Sequence, residues 1–178
     1  MEVATIDTSK EWTLEDYLLL EEGLLAQLID GKLILSPTPT TLHQRVLRKL
    51  TLILHTLPGE IFFSPVDLYI DDHNVLQPDL VFISPERIDI ITQRGIEGVP
   101  SLVVEVLSPS NVFVDRNAKR VKYLDLGVTE YWMIDPVNET LEIYTSEDYD
   151  SPRLHLIKSG QLNSLVSDSI SFDLSELF

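Results

Sequence analysis

Two carboxylates and one cluster of basic residues carry most of the chemistry legible in this chain. Glu105 stands in the run from Leu102 to Leu107, LVVEVL, which lies between Pro100 and Pro109 and reads as a short buried strand. Alternation along that strand puts Leu102, Val104 and Val106 on one face and Val103, Glu105 and Leu107 on the other. A carboxylate among apolar neighbours costs free energy unless it is paired, protonated or bound to a metal. For an isolated glutamate, a strand-end side chain reaching solvent or an arginine is the simpler account. Asp79 stands after Pro78 at the mouth of a second apolar run, Leu80 to Ile83, and alone would be an ordinary turn residue. Together with Glu105, 26 positions on, it supplies the second carboxylate of a candidate metal site. The third group follows Glu105. Arg116, Lys119, Arg120 and Lys122 place four of the 13 basic residues within seven positions, on a segment from Asn111 to Leu126 that reads as a helix ended by Gly127.

These groups must be positioned by a β-loop-α-β unit. The strand with Glu105 breaks at Ser108-Pro109-Ser110-Asn111, the basic helix comes next, and Thr129 to Ile134 forms the second strand. On the helix, Ala118, Val121 and Leu124 are expected to be buried and the basic residues solvated. Asp115, Lys119 and Tyr123 are each one turn apart, so an exposed Asp115–Lys119 pair is the plain reading of Lys119.

Upstream, Thr13 and Asp16 cap a helix expected to run to Gly23, and Asp30-Gly31 between apolar runs predicts a hairpin from Ala26 to Ser36. Val46, Leu47, Leu50, Ile53, Leu54 and Leu57 recur at helical spacing, predicting an amphipathic helix capped by Thr40 or Thr41 and stopped at Pro58-Gly59. His43, Arg45, Arg48 and Lys49 fall in its early turns, where a lone histidine reads as a surface residue or a partner to a backbone carbonyl. Ile61 to Ile70 reads as one strand, Asp71 to Asn74 as a turn, Glu86 to Gln93 as a short helix, and Thr140 to Thr145 and Leu154 to Lys158 as strands. The tail beyond them reads as polar, with little chemistry.

A chain of 178 residues, 44% hydrophobic, is expected to form one domain spanning residues 1–178. Its apolar runs are too short to span a bilayer and its first residues lack a signal pattern. The absence of cysteine excludes disulfides and thiolate metal sites and fits a cytoplasmic protein. The formal net charge of −16 repels nucleic acid at long range, so DNA contact requires local basic patches or a bound cation.

The order HQRV, QPDLVFIS, PSLVVEVLSPSN, Asp115-x-x-x-Lys119-x-x-x-Tyr123 and GVTEYWMIDP resembles the Uma-type family of restriction endonuclease-like proteins, within the PD-(D/E)XK nuclease superfamily. The resemblance implies an α/β fold of mixed α+β character: a restriction endonuclease-like core, with a mixed central β-sheet flanked by helices and an N-terminal helix and β-hairpin. It implies that Asp79 and Glu105 hold Mg2+ or Mn2+ with the backbone carbonyl of Val106, and that the enzyme hydrolyses DNA phosphodiester bonds. The superfamily places a lysine two residues after the glutamate, but Leu107 occupies that position here. Members of the family resemble one another in supplying it from the following helix, which assigns Lys119 the catalytic place. His43, Arg45, Arg48, Arg116 and Lys122 are then candidates for contact with substrate. Duplex cleavage needs two sites and implies a homodimer. Gln27 is a departure, because the family often carries glutamate there and an amide is no charged ligand or base. Gln27, Leu107 and the net charge support the alternative of a catalytically lapsed binding or regulatory module. RNA or a structured junction is a further substrate class open to the same site.

Overall fold

The computed structural model describes residues 8–21, 23–108 and 115–178, apart from the side chains of Asp115 and Arg116. Its centre is a six-stranded sheet built around the β-loop-α-β unit. The strands are β3 (Glu60–Phe63), β6 (Leu80–Ile83), β7 (Leu102–Val106), β8 (Glu130–Asp135), β9 (Thr140–Tyr144) and β10 (Leu154–Ile157). Their order is β10-β9-β8-β7-β6-β3. Only β7 and β8 pair in parallel within this sheet; every other neighbour is antiparallel. A parallel pair requires a crossover, and the basic segment supplies it.

The two faces of the sheet follow the alternation in sequence. Leu80, Phe82, Leu102, Val104, Val106, Trp132 and Ile134 pack beneath α2 (Thr41–Leu54), through its Val46, Leu47, Leu50 and Leu54. Val81, Ile83, Val103, Leu107, Tyr131 and Met133 pack on the other side with Tyr123 and Leu124 of α3 (Arg120–Leu126). Thr40 caps α2, its hydroxyl accepting from the His43 N–H, and Gly127 ends α3 at φ 93, a left-handed conformation that suits glycine.

A second sheet, β2-β1-β5-β4, joins the hairpin β1 (Ala26–Ile29) and β2 (Lys32–Leu35) to β4 (Leu68–Asp71) and β5 (Asn74–Leu76). Asp30 and Gly31 both have positive φ, 49 and 71, as a two-residue hairpin turn of the type expected for Asp-Gly demands.

Several expectations are corrected. The first helix, α1 (Leu14–Tyr17), is a single capped turn and does not continue to Gly23. The stretch from Ile61 to Ile70 is two strands in two different sheets, divided at Ser64-Pro65, where proline withdraws a ladder donor. Beyond Ser84 the helix is a 3₁₀ turn, Pro85–Ile90. The polar tail forms a small hairpin, β11 (Gln161–Asn163) and β12 (Ser171–Asp173), and Leu162, Ile170, Phe172 and Leu174 complete the core under α2. Its apolar residues are too scattered to show a period, and only the sheet they cover explains them.

The basic helix differs most. Residues 111–114 lie outside the described residues. Asp115–Lys119 is a wide π-type turn, and regular helix begins only at Arg120. A wide turn rotates the facing of the helix after it, and such turns are frequent at functional sites. Val121 is accordingly exposed, whereas Tyr123 and Leu124 are buried.

Candidate active site

The β6–β7 register brings the two carboxylates to the same end of adjacent strands. Leu80, the first residue of β6, lies opposite Val104, the residue before Glu105 in β7. Past Leu80 the backbone leaves the ladder, and the Val106 N–H that faces β6 is taken by Asp79 Oδ2 at 2.7 Å. Asp79 thus ties the end of β6 to β7 through its side chain.

Glu105 is 2% exposed, and its Oε1 accepts from Lys119 Nζ at 2.9 Å and from Tyr123 OH at 2.7 Å. The Lys119 and Glu105 side chains are each 3% exposed, which corrects the expectation of a solvated lysine. Burial of that ammonium is tolerable because it enters the core against an anion. The i, i+4 spacing of Lys119 and Tyr123 delivers both donors to one oxygen. Sequence alone assigns Tyr123 no role, although that spacing is its signal.

His43 is buried too, and its Nε2 lies 3.3 Å from Asp79 Oδ1, contrary to the surface reading. Capping by Thr40 starts α2 so that the first turn overhangs the end of β6. Asp79, Glu105, Val106, Lys119, His43 and Gln27 line one cleft of about 680 Å³, with Arg48 also on its wall. Gln27 is held by two bonds: its Oε1 accepts the Gln77 N–H at 3.0 Å, and its Nε2 donates to Ser36 Oγ at 3.0 Å.

Behind Gln77, Asp67 accepts hydrogen bonds from Tyr17 OH, Tyr69 OH and Gln77 Nε2. Burial, then the Asp67 charge, raises both phenols, Tyr69 to about 12 and Tyr17 further. This network anchors the chain that leads through Pro78 into Asp79.

The remaining sequence candidates separate. Arg45 is exposed on α2. Lys122 lies away from the cleft, its ammonium engaged by Asp30 of the hairpin turn. The Arg116 side chain lies outside the described residues.

Among the described residues no three His, Cys, Asp or Glu side chains form a group able to hold a metal ion. The carboxylates on the cleft lining, Asp79 and Glu105, offer oxygens. They suit a hard divalent cation that keeps several waters rather than one enclosed by protein ligands. Among the described residues no helix is long and apolar enough to cross a membrane.

The structure is similar to that of a putative nuclease belonging to DUF820 from Anabaena variabilis, with a TM-score of 0.75 and 19% sequence identity over 93% of this chain and 97% of that one. No curated protein sequence matches the chain. Residues 14–175 match the model of the Uma2 family, described as "Putative restriction endonuclease", and the chain belongs to that family.

Proposed function

We propose that this protein is a divalent-metal-dependent endonuclease that hydrolyses phosphodiester bonds in DNA. The observation that carries the reading is the convergence in one cleft of two cross-strand carboxylates, Asp79 and Glu105, with a lysine from the following helix on Glu105. Asp79 and Glu105 would hold Mg2+ or Mn2+, together with the Val106 carbonyl. The bound ion would supply an activated water and neutralise charge on the phosphoryl group.

The protein's own groups set the geometry. The Val106 N–H and His43 orient Asp79, while Lys119 and Tyr123 orient Glu105. The Lys119 ammonium is the positive charge held at Glu105 and available to the developing phosphoryl charge. Arg48 on the cleft wall, with Arg45 on the exposed side of α2, offers cations to the DNA backbone against the repulsion of a −16 chain. Hydrolysis of both strands of a duplex requires two such sites, which we assign to a homodimer on DNA.

Supercoiled plasmid incubated with MgCl2 or MnCl2 tests this directly. Nicking is expected from the parent and lost, by about 100-fold or more, in Asp79→Ala and Glu105→Ala, as when a group stabilising transition-state charge is removed. Nicking that survives both substitutions would refute the assignment. Parallel incubations with RNA and with a four-way junction identify the substrate class.

A second reading, a lapsed nuclease serving as a binding module, is favoured by one feature. Gln27 puts a neutral amide beside the two carboxylates. Calorimetry separates the two: a lapsed site takes up neither Mg2+ nor Mn2+ at millimolar concentration.

A further inference from the structure

We propose that Tyr123 is a positioning residue that holds Glu105 when Lys119 turns toward the substrate phosphate. This rests on the nuclease reading above and adds a division of labour on a single oxygen. Both donors, Lys119 Nζ and Tyr123 OH, meet at Oε1 of Glu105. To stabilise charge on a phosphoryl group, the ammonium must direct an N–H away from the carboxylate and toward the phosphate.

The two donors differ in how freely they can do so. Lysine carries its charge on a flexible four-carbon stem. The Tyr123 ring is fully buried, packed against Tyr131 at 5.1 Å between centroids with the planes tilted by 43°, and cannot withdraw without opening the packing beneath α3. One oxygen is therefore shared by a mobile cation and a fixed neutral donor. The neutral donor has a second consequence. A phenol O–H orients the carboxylate without cancelling its charge, so Glu105 remains an anion for a cation in the cleft once Lys119 has turned away. A purely structural Tyr123 would need only its ring, so the hydroxyl is the atom to test.

Tyr123→Phe in the full chain removes that atom alone. In metal-free protein, chemical denaturation of the parent, Tyr123→Phe, Lys119→Met and the double variant forms a cycle. The effect of losing the hydroxyl on the unfolding equilibrium is expected to be about fivefold larger when Lys119 is already gone, because the two donors on Oε1 are then both removed. Additive effects would overturn the shared-oxygen argument. In calorimetric titration with MnCl2, Tyr123→Phe is expected to bind about tenfold more weakly, as loss of a group orienting a metal ligand does elsewhere. Lys119→Met is expected to bind at least as tightly as the parent, since a competing cation has been removed. DNA nicking by Tyr123→Phe should recover at high Mn2+, whereas nicking by Lys119→Met should not. Unchanged Mn2+ affinity in Tyr123→Phe overturns the positioning role alone. Failure of the parent to bind Mn2+ overturns the nuclease reading, and the role of Tyr123 with it.

Discussion

Removing Lys119 should destabilise the metal-free protein through the carboxylate it leaves behind. The Lys119–Glu105 pair is 2.9 Å apart with both side chains only 3% exposed, so Lys119→Met leaves a largely buried anion without its ammonium. Breaking a buried ion pair from one side costs about 3–5 kcal/mol. Protonation sets a ceiling on that cost. A glutamate of ordinary pKa, near 4.3, can be neutralised at pH 7 for about 3.7 kcal/mol, after which the site holds a neutral acid. Tyr123 still donates to Glu105, so about 2–3.5 kcal/mol is the expected loss, read by urea denaturation at pH 7.

Two controls make the reasoning specific. In Lys119→Met, Glu105→Gln the stranded charge is gone, and most of the loss should return. Across a pH series the deficit of Lys119→Met should shrink as pH falls toward 4, because a carboxyl left without the ammonium is then increasingly protonated in both folded and unfolded states. A loss under about 1 kcal/mol at pH 7, or a double variant less stable than the single one, would refute the charge-pair account.

Three further outcomes are expected. Arg48→Ala should weaken DNA binding and reduce the slope of log affinity against log salt by about 1, measured by fluorescence anisotropy; an unchanged slope would remove Arg48 from the phosphate contacts. Gln27→Glu adds a buried charge beside Asp79 and Glu105. It should cost about 1–3 kcal/mol without metal and tighten Mn2+ binding in calorimetry, and unchanged affinity would show that this wall of the cleft faces no cation. Tyr17 has a phenol pKa raised by burial and by Asp67, so its contribution to stability is complete below pH 10 and declines as pH rises above it. The Tyr69 phenol, pushed up to about 12, adds to the same alkaline decline. Tyr17→Phe should flatten that decline by up to about 1.4 kcal/mol per pH unit, and identical alkaline limbs in the two proteins would contradict it.

Much of the architecture is legible in the sequence. Asp30-Gly31 specifies its hairpin through positive φ, α2 shows its core face through spacing, and β7 shows both faces through alternation. These are local signals, carried by propensity and period within one element. The illegible parts depend on the surface each element packs against. The run from Ile61 to Ile70 reads as continuous because both halves are apolar, yet they serve different sheets. Val121 matches a helical period but sits exposed, because the wide turn before α3 changes the facing of the helix.

The candidate site divides along the same line. Glu105 stands out in sequence because a carboxylate inside an apolar strand is anomalous wherever the strand lies, whereas Asp79 reads as a turn residue until it is taken together with Glu105. That they come to the same end of adjacent strands follows from the β6–β7 register, a non-local pairing that no single segment encodes. The same holds for the helix. Spacing shows that Lys119 and Tyr123 share a face, and family resemblance points to Lys119. Only the parallel crossover from β7 to β8 brings that face down on Glu105, turning a lysine that reads as solvated into a buried donor beside a tyrosine. Side-chain chemistry is written residue by residue, whereas the partner that gives it meaning is chosen by chain topology.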